Sequence, residues 1–308
     1  MMMVSGPELV ASVMKSGLMA ALPAHNARNI EEFDQWLADI SSQTQSYAEQ
    51  NPDAIIGPLA VNITARRTLD ELDAYIALCE KHHVKIIISA MGNPGELAKK
   101  AHGAGARIFH DITTIAHAEK AVAAGVDGLI CIGYGGGGHS GRLSHLVLIP
   151  KIRSFFNGTV VLAGCASNGA AIRAAEILGA DLCYLGTRFI AVKESRAPLG
   201  YKRMIIAGSS SDLTFTDKVS GVSANWLTQS LLENSVDVES LMADPAPGKS
   251  KSIPESARPW KDIWSAGQGM DLIDDIPDAA ELTARLRAEY ETACKLPAWR
   301  NEPAGEIA

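Results

Sequence analysis

Short runs of consecutive apolar residues recur along the chain with helical patterns between them, and they lack the alternation of a strand with one wet face. Seven fall at 17–22, 56–63, 84–90, 107–111, 128–133, 159–164 and 182–186; Ile86-Ile87-Ile88 and Val160-Val161-Leu162-Ala163 are the clearest. A strand that is apolar on both sides must be covered on both, as in a parallel sheet wrapped by helices; an antiparallel sandwich reads differently. The spacing is what a βα unit requires. Helix ends are also marked. Thr68-Leu69-Asp70-Glu71 matches a capping box, Pro94 can start a helix, and Thr113 or Thr114 can cap the run ending near Gly125. Ala124-Gly125-Val126-Asp127 and Leu178-Gly179-Ala180-Asp181 repeat one helix-to-strand joint.

Seven such units predict a TIM (β/α)₈-type barrel lacking most of its first strand, with a doubly wound open sheet as the alternative. The opening segment Met1-Met2-Met3-Val4-Ser5-Gly6-Pro7 reads as a strand-to-helix loop, which puts the remaining strand upstream of Met1. The barrel is expected over 1–207 and 278–296, closed by an amphipathic helix carrying Leu282, Leu286 and Tyr290. Residues 208–277 read as a cap or lid whose Pro/Lys/Ser-rich part, 244–259, is a mobile linker, and 297–308 as a loose tail.

With 28 basic against 35 acidic residues among 308, and only 6% aromatic, the chain has neither the charge nor the stacking surface for nucleic acid. Residues 154–172 carry no charge but are broken by Asn157-Gly158 and Ser167-Asn168-Gly169, so they read as a strand between turns, not a membrane span. Five separated cysteines fit reduced thiols in a cytoplasm, and no His, Asp, Glu or Cys cluster has metal-ligand spacing.

In such a barrel the chemistry lies at the C-terminal strand ends. There the segment Gly133-Tyr134-Gly135-Gly136-Gly137-Gly138-His139 stands out. Consecutive glycines suit a backbone that must approach a ligand such as a flat ring, and His139 follows them with a side chain suited to proton transfer. A flexible loop with a bystander histidine is the alternative. The turns at 163–169 and 185–188 each lead into a helix, in the last two units, where a bound phosphate is usual. His25 and His110, at strand ends, are further candidates for the pocket wall.

Asn62 at a strand end, Ser89-Ala90-Met91-Gly92-Asn93-Pro94, Phe109-His110-Asp111, the Gly-Gly-His139 loop, Gly164 with Asn168-Gly169, Gly186-Thr187-Arg188-Phe189 and Trp264-Ser265-Ala266-Gly267-Gln268-Gly269 together resemble the nitronate monooxygenase family over nearly the whole chain. The resemblance implies an FMN-containing TIM barrel with a small inserted domain. It implies that Gly164, Gly186 and Thr187 hold the FMN phosphate, that Asn62 and the Ser89–Gly92 loop contact the flavin, and that Gly137, Gly138 and His139 face its ring, His139 as the catalytic group. The implied reaction takes an alkyl nitronate, or a nitroalkane, and O₂ to a carbonyl compound and nitrite; a homodimer is left open. The chain departs from the family pattern where Cys165 replaces the second glycine of the phosphate turn. Two other readings stay open: an NAD(P)H-dependent FMN reductase of quinones or enoyl thioesters, and a flavin-free degenerate barrel with a binding role.

Overall fold

A computed structural model describes residues 1–296; the tail expected at 297–308 lies outside the described residues. The strands are β1 (Ala20–Pro23), β2 (Leu59–Thr64), β3 (Ile86–Ala90), β4 (Arg107–Ile112), β5 (Gly128–Ile132), β6 (Gly138–His139), β7 (Thr159–Ala163), β8 (Leu182–Tyr184), β9 (Leu213–Thr216) and β10 (Ala224–Leu227). Seven of them form one parallel sheet in the order β1-β2-β3-β4-β5-β7-β8, the TIM-type arrangement that the apolar runs predict.

Both faces are covered, for the reason the sequence suggested. Val61, Ile63, Ile87, Ile108, Leu129 and Val160 point outward and pack under the helices in the main core. Ala60, Ile88, Phe109, Ile130, Val161 and Ala163 point inward and form a separate cluster inside the curl. Gly128 leaves room there for Phe109, whose ring would lie 2.5 Å from any Cβ at that position. Strands β1 and β2 begin later than expected. Gly17 takes φ +82° in the turn after the helix Pro7–Lys15, and Gly57 donates to Met14 O (2.8 Å), so both belong to the approach and not to the ladder.

The sheet ends at β1 on one side and β8 on the other, and these two are not paired with each other. A cavity of about 450 Å³ lies between them, walled by Leu9, Val13, Ile130, Val161 and Leu286. The helix Ala279–Cys294 closes the outer side against the helix Gly169–Ile177; Leu282 and Leu286 are buried in the main core, and Gly169 N donates to Glu289 Oε2 (2.7 Å).

The cap holds a sheet that the sequence did not disclose. β9 and β10 form an antiparallel pair, and β10 also pairs with β6, taken from within the glycine loop. A third cluster, built on Val219, Trp226, Leu231 and Ile263, includes Ile253 and Ala257 from the stretch expected to be a mobile linker. That stretch is further tied by Ser250 N to Lys218 O (2.8 Å) and Gly248 N to Asp217 Oδ2 (3.0 Å). No helix among the described residues is long and apolar enough to cross a membrane.

Two glycine substitutions test how the last helix docks. A Cβ on Gly169 would sit 2.2 Å from Tyr290 N and 2.4 Å from Leu286 O, both backbone atoms, whereas one on Gly103 meets nothing within 4 Å. Gly169→Ala is expected to lower stability by about 1–3 kcal/mol. Gly103→Ala, at the end of the helix Gly95–Gly103, is expected to raise it by up to about 1 kcal/mol. Thermal melts of both variants check the pair.

Candidate active site

Beyond β5 the chain enters the glycine loop, which runs across the ends of β7 and β8. Gly164, at φ +107°, comes so near that a Cβ on it would lie 2.9 Å from Gly136 Cα. A Cβ on Gly137 would lie 2.8 Å from Thr187 Oγ1 and 2.9 Å from Gly267 N. Hydrogen bonds fasten the same seam: Gly267 N donates to Thr187 Oγ1 (2.9 Å), Gln268 N to Gly135 O (2.8 Å) and Asn225 Nδ2 to Gly136 O (2.7 Å). The close approach that these glycines permit is thus made by the chain's own backbone from three other loops. Gly138, at φ +73°, is the member of the run that faces a ring, with Trp260 3.5 Å from where its Cβ would be.

His139 is held from two sides. Its backbone pairs with Ala224 of β10, and its ring meets Trp260 edge-on at 5.3 Å and 87°. Trp260 leans in turn on the fully buried Trp226 at 4.4 Å. Burial, and then the positive charge of Arg66, hold the His139 pKa below the ordinary histidine value, so the imidazole is neutral at pH 7 and free to accept a proton.

His139 lines a cavity of about 920 Å³ together with Arg66, Met91, Gly92, Asp111 and Ile132. Alternation along the strands decides which groups share its floor. Asn62 and Asp111 have the inward parity of Ala60 and Phe109. Ser89 and His110 have the outward parity. The Ser89 hydroxyl, fully buried, lies 2.5 Å from His110 Nδ1, while His110, expected on the pocket wall, does line this cavity beside Asp111. His25 sits in the short helix Ala24–Asn26 after β1 and is not on this cavity wall. Asp111 stood in the sequence only as part of the Phe109-His110-Asp111 segment, with no role assigned to it. Its Oδ1 is buried without a hydrogen-bond partner, and burial pushes its carboxyl up to about 7 against the attraction of the Met1 amino group.

The two turns expected to bind phosphate differ. After β7, Gly164 and Cys165 both take positive φ (+107° and +62°), and Cys165 Sγ donates to Tyr134 O (3.2 Å). The turn leads through Asn168, whose side chain accepts from Ala171 N, into the helix Gly169–Ile177. Ser167 Oγ is buried there with no partner, under Gly269. After β8, Gly186 caps the four-residue helix Thr187–Ile190, and the buried Arg188 bonds Asp275 Oδ1 (2.6 Å). Gly186 itself is open, with only Met1 Cγ 3.8 Å from its Cβ position. His145, also unremarked in the sequence, donates from Nε2 to Ala163 O (2.9 Å) and so braces the end of β7. No group of three or more His, Cys, Asp or Glu side chains among the described residues is arranged to hold a metal ion.

The sequence profile of the family described as nitronate monooxygenase matches residues 1–289, a span that contains every one of these groups. The chain belongs to the nitronate monooxygenase family. It is an oxidoreductase of that family. A nitronate monooxygenase of Paraburkholderia phytofirmans is 28% identical over 287 residues, covering 87% of this chain and 75% of the relative. A hydroxy-methyl-oxo-octahydro-indene-carboxyl-CoA dehydrogenase of Rhodococcus jostii is 29% identical over 277 residues, covering 88% and 74%. Nitroalkane oxidase of Streptomyces ansochromogenes superposes with a TM-score of 0.74 at 22% identity, covering 94% of each chain, and shares the fold.

The Asp111 carboxyl makes stability depend on pH with a defined sign. Because its folded pKa is raised, its contribution is complete below the ordinary aspartate value near 4 and is lost as pH rises through about 7. Asp111→Asn is therefore expected to raise the melting temperature at about pH 8 and to leave it nearly unchanged at about pH 4; melts at the two pH values check it.

Proposed function

We propose that this family member is an FMN-dependent enzyme that oxidises alkyl nitronates with O₂ to carbonyl compounds and nitrite. The observation that carries the reading is the pairing, on one cavity wall, of a neutral His139 fixed edge-on by Trp260 with the inward-facing Asp111. Family membership supplies the reaction class.

The residues fit a phosphate-bearing cofactor. The buried Ser167 hydroxyl lacks a partner, and it stands where the helix Gly169–Ile177 begins, so its donor and the first N–H groups of that turn suit an anion. Gly186 admits close approach of such a group, Thr187 adds a hydroxyl, and Gly164 shapes the turn by letting Gly136 pack against it. Asn62, Gly92, Gly137 and Gly138 would border the rest of the cofactor. When bound, FMN supplies the redox and oxygen chemistry. The chain does the remainder. Neutral His139 can take the α-proton of a nitroalkane, and after protonation it can donate a hydrogen bond to the nitronate oxygens. Trp260 fixes the plane of that ring and keeps water from it on one side.

A second reading, dehydrogenation or reduction of a thioester at the same site, is favoured by the Rhodococcus relative's name. Anaerobic mixing separates them. Bleaching of the flavin by propionate 3-nitronate and not by NADH is expected here; bleaching only by NADH would reject the nitronate reading. His139→Ala is expected to reduce kcat/KM by about 10²–10⁴-fold while the protein keeps its flavin, measured by absorbance near 450 nm. Ser167→Ala removes an unsatisfied buried hydroxyl, so apoprotein stability should hold or rise slightly while FMN affinity falls several-fold, as read by fluorescence titration.

A further inference from the structure

At the end of β4 the fold leaves a carboxyl incompletely bonded. Asp111 has inward parity and lines the cavity beside His139, and its Oδ1 is buried with no hydrogen-bond partner. Its neighbour in register on β5 is Ile130, which brings no side-chain donor. No ion pair among the described residues includes it. The Met1 amino group attracts the carboxylate, but its own burial drives it toward the uncharged form. On β8 the inward-facing Tyr184 stays protonated, held so by burial and then by the Asp111 charge. His139, His110 and the exposed Arg66 share the cavity wall, as do Lys99, His117 and Lys120 from the helices Gly95–Gly103 and Ile115–Ala123. His110 Nδ1 is taken by Ser89 and Lys99 by Glu96.

A buried carboxylate that receives no hydrogen bond is costlier than the uncharged acid, and burial accordingly moves the Asp111 pKa up to about 7. The acid has one O–H to donate, and no side chain or backbone group of the fold accepts it. The missing acceptor must come from what fills the cavity.

We propose that Asp111, in its protonated form, donates a hydrogen bond to an acceptor atom of the group bound against the cavity floor. That acceptor is an oxygen or nitrogen of the cofactor ring or an oxygen of the substrate's nitro group, so the inference deepens the proposed reaction and rests on it for these two ligands. No bond breaks in this contact: the proton remains on Asp111, and the α-proton goes to His139. Ionisation of Asp111 removes the donor and sets a negative charge against an electron-rich atom.

Calorimetry in two buffers of different ionisation heat counts the protons taken up on binding. FMN is titrated into apoprotein, and propanoate, an unreactive planar anion, into the protein as purified, each at about pH 6 and pH 8. Asp111→Asn keeps an N–H donor and cannot ionise, so it is the reference that shares every other titration with the wild type. Relative to it, the ligand that Asp111 contacts is expected to bind the wild type about tenfold more weakly at the higher pH, with uptake of close to one proton. Asp111→Ala, which has no donor, is expected to bind that ligand several-fold more weakly at both pH values, and circular dichroism confirms that each variant is folded. Proton uptake with FMN assigns the acceptor to the cofactor; uptake with propanoate assigns it to the substrate. Proton-linked binding without turnover of propionate 3-nitronate keeps the Asp111 assignment and rejects the nitronate reading. If wild type and Asp111→Asn bind both ligands alike at both pH values, with no difference in proton uptake, the proposal is overturned.

Discussion

The site depends on one constraint: four loops must meet with almost no side chain between them. The backbone at Gly136 and Gly137 touches the turn after β7 at Gly164, the turn after β8 at Thr187 and the returning cap segment at Gly267. Any Cβ at Gly137, Gly164 or Gly267 would come within 3.0 Å of a neighbour, and at Gly164 and Gly267 that neighbour is backbone. The entropy cost of ordering four glycines is offset by a junction that no larger residue permits. Through it the cap is fastened to the barrel, because β6 leaves the loop directly into the β9–β10 sheet. His139 therefore inherits its position from the barrel at one end and from the cap at the other.

Much of the barrel was legible because the information is local. A run such as Ile86-Ile87-Ile88 can only be covered on both faces, and the repeated Gly-x-Asp joints mark where each helix gives way to a strand. The β6 pairing was not legible. A two-residue strand of Gly138 and His139 has no pattern of its own, and its partner lies at Ala224 and Asn225, far along the chain. Trp260 escaped for a similar reason, since it directly follows the Pro- and Lys-rich stretch 244–259 whose composition suggested a linker, and only the fold sets it against Trp226.

Face parity explains the remaining differences at the site. Ser89 and His110 attracted notice as polar residues at strand ends, yet each follows an inward-facing residue, Ile88 or Phe109, and so points outward. Their mutual hydrogen bond engages the buried Ser89 hydroxyl, while His110 still lines the cavity. Asp111, one residue past His110, has the opposite parity and lines the same cavity. Parity thus keeps Ser89 beneath the helices, while at the end of β4 both His110 and Asp111 reach the cavity.

The electrostatics of the cavity floor follow from the same burial. At the floor, burial favours the uncharged forms of both Asp111 and His139, which leaves one group able to donate a proton and one able to accept it.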